Sequence, residues 1–211
     1  MAIKNLIFDF GGILIDLDWD RYYNNLQALL KIENDSEALK NHYRDLFIQY
    51  EVGAFSEGSF MYRLQKGVSH KITEREILDA WNSILDDLPK ERLDYVLSLR
   101  KDYKVYLLSN TNHSHIQWAR ADLRRRLEIT DFETRYFDHA YYSHDVKMRK
   151  PNLDIYHHVL KHAGIDGQES LFIDDTQENI DAAIAAGIHS VRHDPQESII
   201  EKLPLYLSDL N

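Results

Sequence analysis

The chain predicts an α/β protein on a parallel sheet, with an all-helical segment inserted after the first strand. Three observations predict it. Two nearly unbroken apolar runs, Ile3–Phe8 and Lys104–Leu108, read as strands buried on both faces. Further on, short strand patterns alternate with helical ones, the order that builds a parallel sheet. Between the two runs, about 70 residues from Asp18 to Leu88 carry helical periodicity and no convincing strand.

The elements follow in order. Ile3–Phe8 is strand one. In the insert, Tyr22, Leu26, Leu29 and Leu30 share a helical face, as do Leu39, Tyr43, Leu46, Phe47 and Tyr50. Thr73-Glu74-Arg75-Glu76 is a capping box, and Ile77, Trp81, Ile84 and Leu88 follow at helical spacing. Pro89 opens a helix with Leu93, Val96 and Leu97 that leads into strand two and belongs to the sheet. His139–Tyr142 is strand three. Asn152–Ala163 is a helix with Ile155, Tyr156, Val159 and Leu160 on one face, Pro151 in its first turn and Gly164 at its end. Leu171–Ile173 is strand four. Thr176–Ala186 is a helix presenting Ile180, Ala183 and Ile184, closed by Gly187. Ser190–Arg192 is strand five. The division expected is an α/β core of residues 1–16 and 89–211 and a helical cap of residues 17–88, set over the strand ends where open α/β sheets bind ligands.

Composition narrows the function. The 211 residues hold 44% apolar and 28% charged side chains, which fits a packed protein and excludes a disordered one. No apolar run is long enough for a bilayer, and the run ending at Asp9 is too short for a signal peptide's core, so no membrane is expected as partner. The absence of cysteine excludes disulfides, thiolate metal sites and a cysteine nucleophile, and makes the reducing cytoplasm the expected home. A net charge of −10 argues against nucleic acid as partner; an anionic ligand would need a local cation. Arg124-Arg125-Arg126, the one basic run, lacks interleaved aromatics and reads as a solvated helix face. The eleven histidines show no zinc spacing; His113 and His115 follow strand two closely enough to reach a ligand.

Polar residues gather where the strands end. Strand one ends in Asp9, strand two in Ser109-Asn110-Thr111-Asn112, and strand four in Asp174-Asp175; Lys150-Pro151 follows strand three. Each alone is ordinary cap or turn chemistry. In a parallel sheet, however, all four lie along one edge and can meet in one crevice. Three carboxylates, a hydroxyl with nearby backbone N–H groups and one ammonium suit Mg²⁺ and a phosphate.

The ordered set Ile7-Phe8-Asp9-Phe10-Gly11-Gly12-Ile13-Leu14, Leu107-Leu108-Ser109-Asn110-Thr111-Asn112, Met148-Arg149-Lys150-Pro151 with Tyr156, and Phe172-Ile173-Asp174-Asp175-Thr176-Gln177-Glu178-Asn179 resembles the four motifs of the haloacid dehalogenase superfamily. The insert looks like that family's C1 cap, and the resemblance is nearest to its small bacterial sugar-phosphatase branch, of the α-glucose-1-phosphate phosphatase type. It implies a Rossmann-like core and a Mg²⁺-dependent phosphatase acting on a small phosphorylated metabolite such as a sugar phosphate. Asp9 would be the nucleophile, forming an aspartyl-phosphate, and a metal ligand. Gly11 would give the metal its carbonyl, Asp175 would complete the protein ligands, and Asp174 would bind directly or through water. Ser109 and the Asn110 N–H would hold phosphoryl oxygens, and Lys150 would pair with Asp9 and the transferring group.

Two departures bear on this. Many such phosphatases carry a second Asp where this chain has Gly11; it protonates the leaving oxygen, help worth about 10²–10⁴ in rate. Similar members of the branch also lack it, and Asp16, Asp18 or a cap residue stand as substitutes. Glycine is common at position 147, whereas Lys147 here joins Arg149 and Lys150 in a basic patch or solvated loop. Two alternatives remain open: a catalytically weak or dead protein that binds Mg²⁺ and phosphate, and a 2-haloacid dehalogenase, for which the acidic pair would serve no purpose. A receiver domain is disfavoured, because its acidic pair belongs on the first strand. Substrate identity would lie in the insert, for which no spacing rule exists, and oligomeric state is open.

Overall fold

The computed structural model describes residues 2–32 and 36–210, and the side chains of these except 36–41. Its five strands are β1 (Asn5–Phe8), β2 (Lys104–Ser109), β3 (His139–Tyr142), β4 (Ser170–Asp174) and β5 (His189–Arg192). They form one sheet in the order β3-β2-β1-β4-β5, every pair parallel.

Alternation along the strands divides the core. Leu6, Phe8, Val105, Leu107, Leu171 and Ile173 face one layer, and Ile7, Tyr106, Leu108 and Phe172 face the other. Both layers are covered, which is why the runs are continuously apolar.

Among the described residues, four helices stand between β1 and the helix before β2: α1 (Trp19–Leu30), α2 (Ser36–Glu51), α3 (Glu57–Gly67) and α4 (Glu74–Asn82). They meet around Trp81, whose ring centroid lies 4.8 Å from Phe47, 4.7 Å from Phe60 and 5.7 Å from Tyr22. The Thr73–Glu76 capping box forms as expected, starting α4. Of the apolar face read for α2, the Leu39 side chain lies outside the described residues. The two chain passages into and out of this insert pair with each other: Asp16 N–H donates to the Asp87 carbonyl (2.8 Å), Asp86 N–H to Asp16 (3.0 Å) and Asp18 N–H to Ile84 (2.8 Å).

The remaining helices cover the sheet. They are α5 (Lys90–Leu99), α6 (His113–Leu127), α7 (Phe132–Tyr136), α8 (Ser143–Val146), α9 (Leu153–Ala163), α10 (Gln177–Ala185) and α11 (Ile199–Ser208). Residues of α9 and α10 fill the Phe172 layer; α5, α6 and α11 contribute to the other. Among the described residues no helix is long and apolar enough to cross a membrane.

Several local expectations need correction. Leu97 and Ile184 are exposed, because the helical stripes of α5 and α10 are narrower than their apolar content. Pro151 precedes the N-cap Asn152 and lies outside the first turn of α9. Two of the three arginines in the basic run are engaged rather than merely solvated: Arg125 and Arg126 both bind Asp122 (2.6 Å each), and Arg126 also reaches the Leu88 carbonyl (3.1 Å).

Candidate active site

Sheet register brings the polar strand ends together. Phe8 is level with Leu107 on one side and Ile173 on the other, so Asp9 follows β1 level with Leu108 and Asp174, one residue short of Ser109. Asp9 N–H donates to the Ile173 carbonyl at 2.9 Å, which fixes the first residue beyond the strand. The chain order reverses across β1, where doubly wound sheets open a crevice.

A buried ammonium joins these ends. Lys150 is 1% exposed, and its Nζ lies 2.8 Å from Asp9 Oδ1 and 2.6 Å from Asp174 Oδ2. Its backbone is clamped by the Asn110 side chain, which donates to the Lys150 carbonyl (2.8 Å) and accepts from its N–H (2.9 Å). Asp174 also accepts from Asn179 Nδ2 (2.9 and 3.1 Å) and Thr176 N–H (2.8 Å). Tyr156 supports this group from below, its hydroxyl donating to the Asn179 carbonyl at 2.9 Å.

Charge in the cluster is unbalanced. Asp9, Asp174 and Asp175 each bring a carboxylate oxygen within 4.8 Å of the others, against a single ammonium. Burial pushes the Asp9 carboxyl up to about 7; Lys150 opposes the shift, and Asp174 and Asp175 add to it. Burial and Asp174 raise Asp175 as well. Burial alone would lower Lys150, but Asp174 and Asp9 outweigh it and hold the amine charged.

The turn after β1 sets the neighbouring walls. Gly12 has φ +71°, and a Cβ there would lie 2.9 Å from Asp175 Oδ2, so only glycine lets the acidic pair approach. A Cβ on Gly11 would lie 2.8 Å from Leu17 Cδ1: the space beside position 11 holds an apolar side chain. Asp16 and Asp18 do not replace a carboxylate here. Asp16 binds Arg92 (2.7 Å), Asp18 caps α1 by accepting from Arg21 N–H (2.8 Å), and neither lines the cavity.

The cavity over Asp9 has a volume of about 400 Å³, within the range of small-molecule pockets. Its walls include Asp9, Gly11, Ser109, Asn110, Lys150 and Asp175, together with the apolar Leu17, Trp19, Ile84 and Leu85. Asp174 supports the wall from beneath. Of the two histidines after β2, His115 lines this cavity and His113 another. His115 accepts at Nδ1 from Asn112 (3.1 Å) and donates from Nε2 to the Trp81 carbonyl (3.2 Å). Burial lowers its pKa to about 4, so the ring is neutral.

Lys147 and Arg149 form neither a free basic patch nor a solvated loop but tethers. Lys147 has φ +61°, the conformation glycine adopts most readily, and its Nζ donates to the Gly53 and His144 carbonyls (2.7 Å each). Arg149 Nη2 pairs with Glu51 of α2 at 3.3 Å, while its Nε is buried without a protein partner. Ser143 Oγ accepts from Thr111 N–H (2.9 Å) and donates to the Glu51 carbonyl (2.6 Å). Sequence reasoning missed the Asn110 clamp, the Asn179 support, the role of Gly12 and the Ser143 bridge. Only adjacent Gly11-Gly12 after an apolar run signalled a close approach.

Residues 3–187 match the family model described as a haloacid dehalogenase-like hydrolase. A D-ribitol-5-phosphate phosphatase of Bacteroides thetaiotaomicron is 33% identical over 183 residues, spanning 84% of this chain and 85% of that protein. A sesquiterpene phosphatase of Aspergillus oryzae is 42% identical over 188 residues, spanning 89% and 88%. A haloacid dehalogenase family enzyme of B. thetaiotaomicron, solved as a magnesium complex, superposes with a TM-score of 0.86 at 34% identity over 96% of this chain and 99% of that one. The helical insert over a Rossmann-like sheet is shared with that structure. The chain belongs to the haloacid dehalogenase-like hydrolases, among their phosphatases.

Proposed function

We propose that this chain hydrolyses a small phosphorylated metabolite, a phosphate monoester such as a sugar phosphate, with Mg²⁺, through an aspartyl-phosphate on Asp9. The observation that carries the reading is the buried Lys150 held between Asp9 and Asp174, with Asp175 completing three carboxylates within 4.8 Å. A Mg²⁺ ion fits this donor set: every side-chain donor is a hard oxygen, and one ammonium leaves the three acids undercompensated. Asp9, Asp175 and the Gly11 carbonyl would hold it. Asp174, whose oxygens already accept from Lys150, Asn179 and Thr176, would act through water. When bound, the ion supplies charge neutralisation for the phosphoryl oxygens.

The protein's own groups do the rest. An Asp9 carboxylate oxygen attacks phosphorus, and the bond from phosphorus to the ester oxygen breaks. Water then attacks the aspartyl-phosphate, releasing inorganic phosphate and restoring Asp9. Ser109 and the Asn110 N–H hold phosphoryl oxygens, and Lys150 opposes the upward shift of Asp9 and orients its carboxyl. The cap comprises residues 17–88, hinged where Asp16–Asp18 pairs with residues 84–87, and it shields the reaction from bulk water. With glycine at position 11, the leaving alcohol takes its proton from solvent or from the cap.

The phosphatase relatives favour this reading over carbon–halogen hydrolysis. The test is phosphate release from a panel of monoesters. EDTA should stop it, Mg²⁺ should restore it, and Asp9→Asn should abolish it. Robust turnover by Asp9→Asn would refute the mechanism; Mg²⁺ and phosphate binding without turnover on any ester would mark a catalytically silent member.

A further inference from the structure

We infer that the alcohol half of the substrate carries no charge of its own and lies with an apolar face on Trp19, which thereby selects the substrate. The inference rests on the phosphatase reading and adds the class of leaving group. Two features of the cavity support it.

The first is charge. The cavity is lined by four acids, Asp9, Glu51, Asp175 and Glu178, and two cations, Arg149 and Lys150. Lys150 is shared between Asp9 and Asp174, and Arg149 is balanced by Glu51. Among the described residues, no further lysine or arginine lines the cavity to receive a second phosphate or a carboxylate. With Asp9 and Asp175 committed to the proposed Mg²⁺, a second anionic group would still face Glu51 and Glu178 with no free cation, which is costly without a partner.

The second is the apolar part of the lining. Ile15, Leu17, Trp19, Ile84 and Leu85 form it, and Leu17 fills the space beside Gly11. Trp19 is 49% exposed, although large and aromatic, and it is backed by Tyr23 in a stacked arrangement at 5.8 Å. A supported indole at a cavity rim offers a flat apolar platform with only two side-chain torsions to order.

The test compares cyclohexylmethyl phosphate, glycerol 3-phosphate and 3-phosphoglycerate. The expected order of kcat/KM is that sequence, with at least tenfold between first and last. Trp19→Ala should lower kcat/KM for the cyclohexylmethyl ester about tenfold, mostly through KM, leaving inhibition by inorganic phosphate unchanged; Trp19→Phe should keep most of the activity. Trp19→Lys, which supplies the missing cation, should raise kcat/KM for 3-phosphoglycerate about tenfold. Preference for 3-phosphoglycerate by the native protein, or an equal Trp19→Ala effect on all three esters and on phosphate inhibition, would overturn the inference. Calorimetric binding of the same esters to Asp9→Asn separates the two readings: absent turnover with the binding order retained refutes the phosphatase reading alone, and a reversed binding order refutes this one.

Discussion

The rim around Lys150 and the aromatic cluster around Trp81 are both buried, yet they are held by different physics. At the rim, charges are fixed by short directional contacts, and each oxygen of Asp174 has a named donor. In the insert, Tyr22, Phe47, Tyr50, Phe60 and Trp81 meet ring to ring, with centroids between 4.2 and 6.2 Å. Burial of charge demands particular partners, whereas burial of apolar surface demands only volume and shape. Substitution should therefore damage chemistry as well as stability at the rim, and stability alone in the insert.

The largest effect should come from Lys150→Met. It leaves Asp9 and Asp174 facing each other in the interior, which costs about 3–5 kcal/mol for an uncompensated buried pair, and turnover should fall by at least about 10². Denaturant titration and phosphate release measure the two. Trp81→Ala should cost a similar 3–5 kcal/mol through its cavity, while molecules still folded bind inorganic phosphate with near-native affinity. Loss of phosphate binding in folded Trp81→Ala would break the division between the regions.

His115 joins the two regions and gives a pH signature. Unfolded, it takes up a proton below its ordinary pKa near 6.5; folded, it stays neutral until about pH 4. Its contribution is thus intact above pH 6.5 and is lost as pH falls towards 4, by about 3 kcal/mol in total. His115→Gln should remove that part of the acid destabilisation, seen in denaturant midpoints between pH 7 and 4. The smallest effect should be Thr73→Ala, about 1 kcal/mol from a lost helix cap, with hydrogen exchange quickening in α4 before it does in the sheet.

The two regions were unequally legible in the sequence. Ile3–Phe8 and Lys104–Leu108 announced a sheet covered on both faces, because alternate residues go to opposite layers and both layers are apolar. Asp9, Ser109, Lys150 and Asp174 were readable because a parallel sheet sends all strand ends to one edge. Their supports were not: Asn110 grips a backbone 40 residues away, and Ser143 bridges to Glu51, 92 residues away. Distances of that kind leave no periodic trace. Trp19 carries no spacing signal in the sequence, and only its place in the cavity lining distinguishes it.

The tethers between insert and core have a consequence for motion. Ser143 to the Glu51 carbonyl, Lys147 to the Gly53 carbonyl and Arg149 to the Glu51 carboxylate form a second set of ties besides the chain crossings at residues 16–18 and 84–87. Ser143, Lys147 and Arg149 all lie within the eight residues that end at Lys150. On the proposed function, swinging the insert open would pull on the segment that carries the buried ammonium, and so would couple ligand entry to the setting of Asp9.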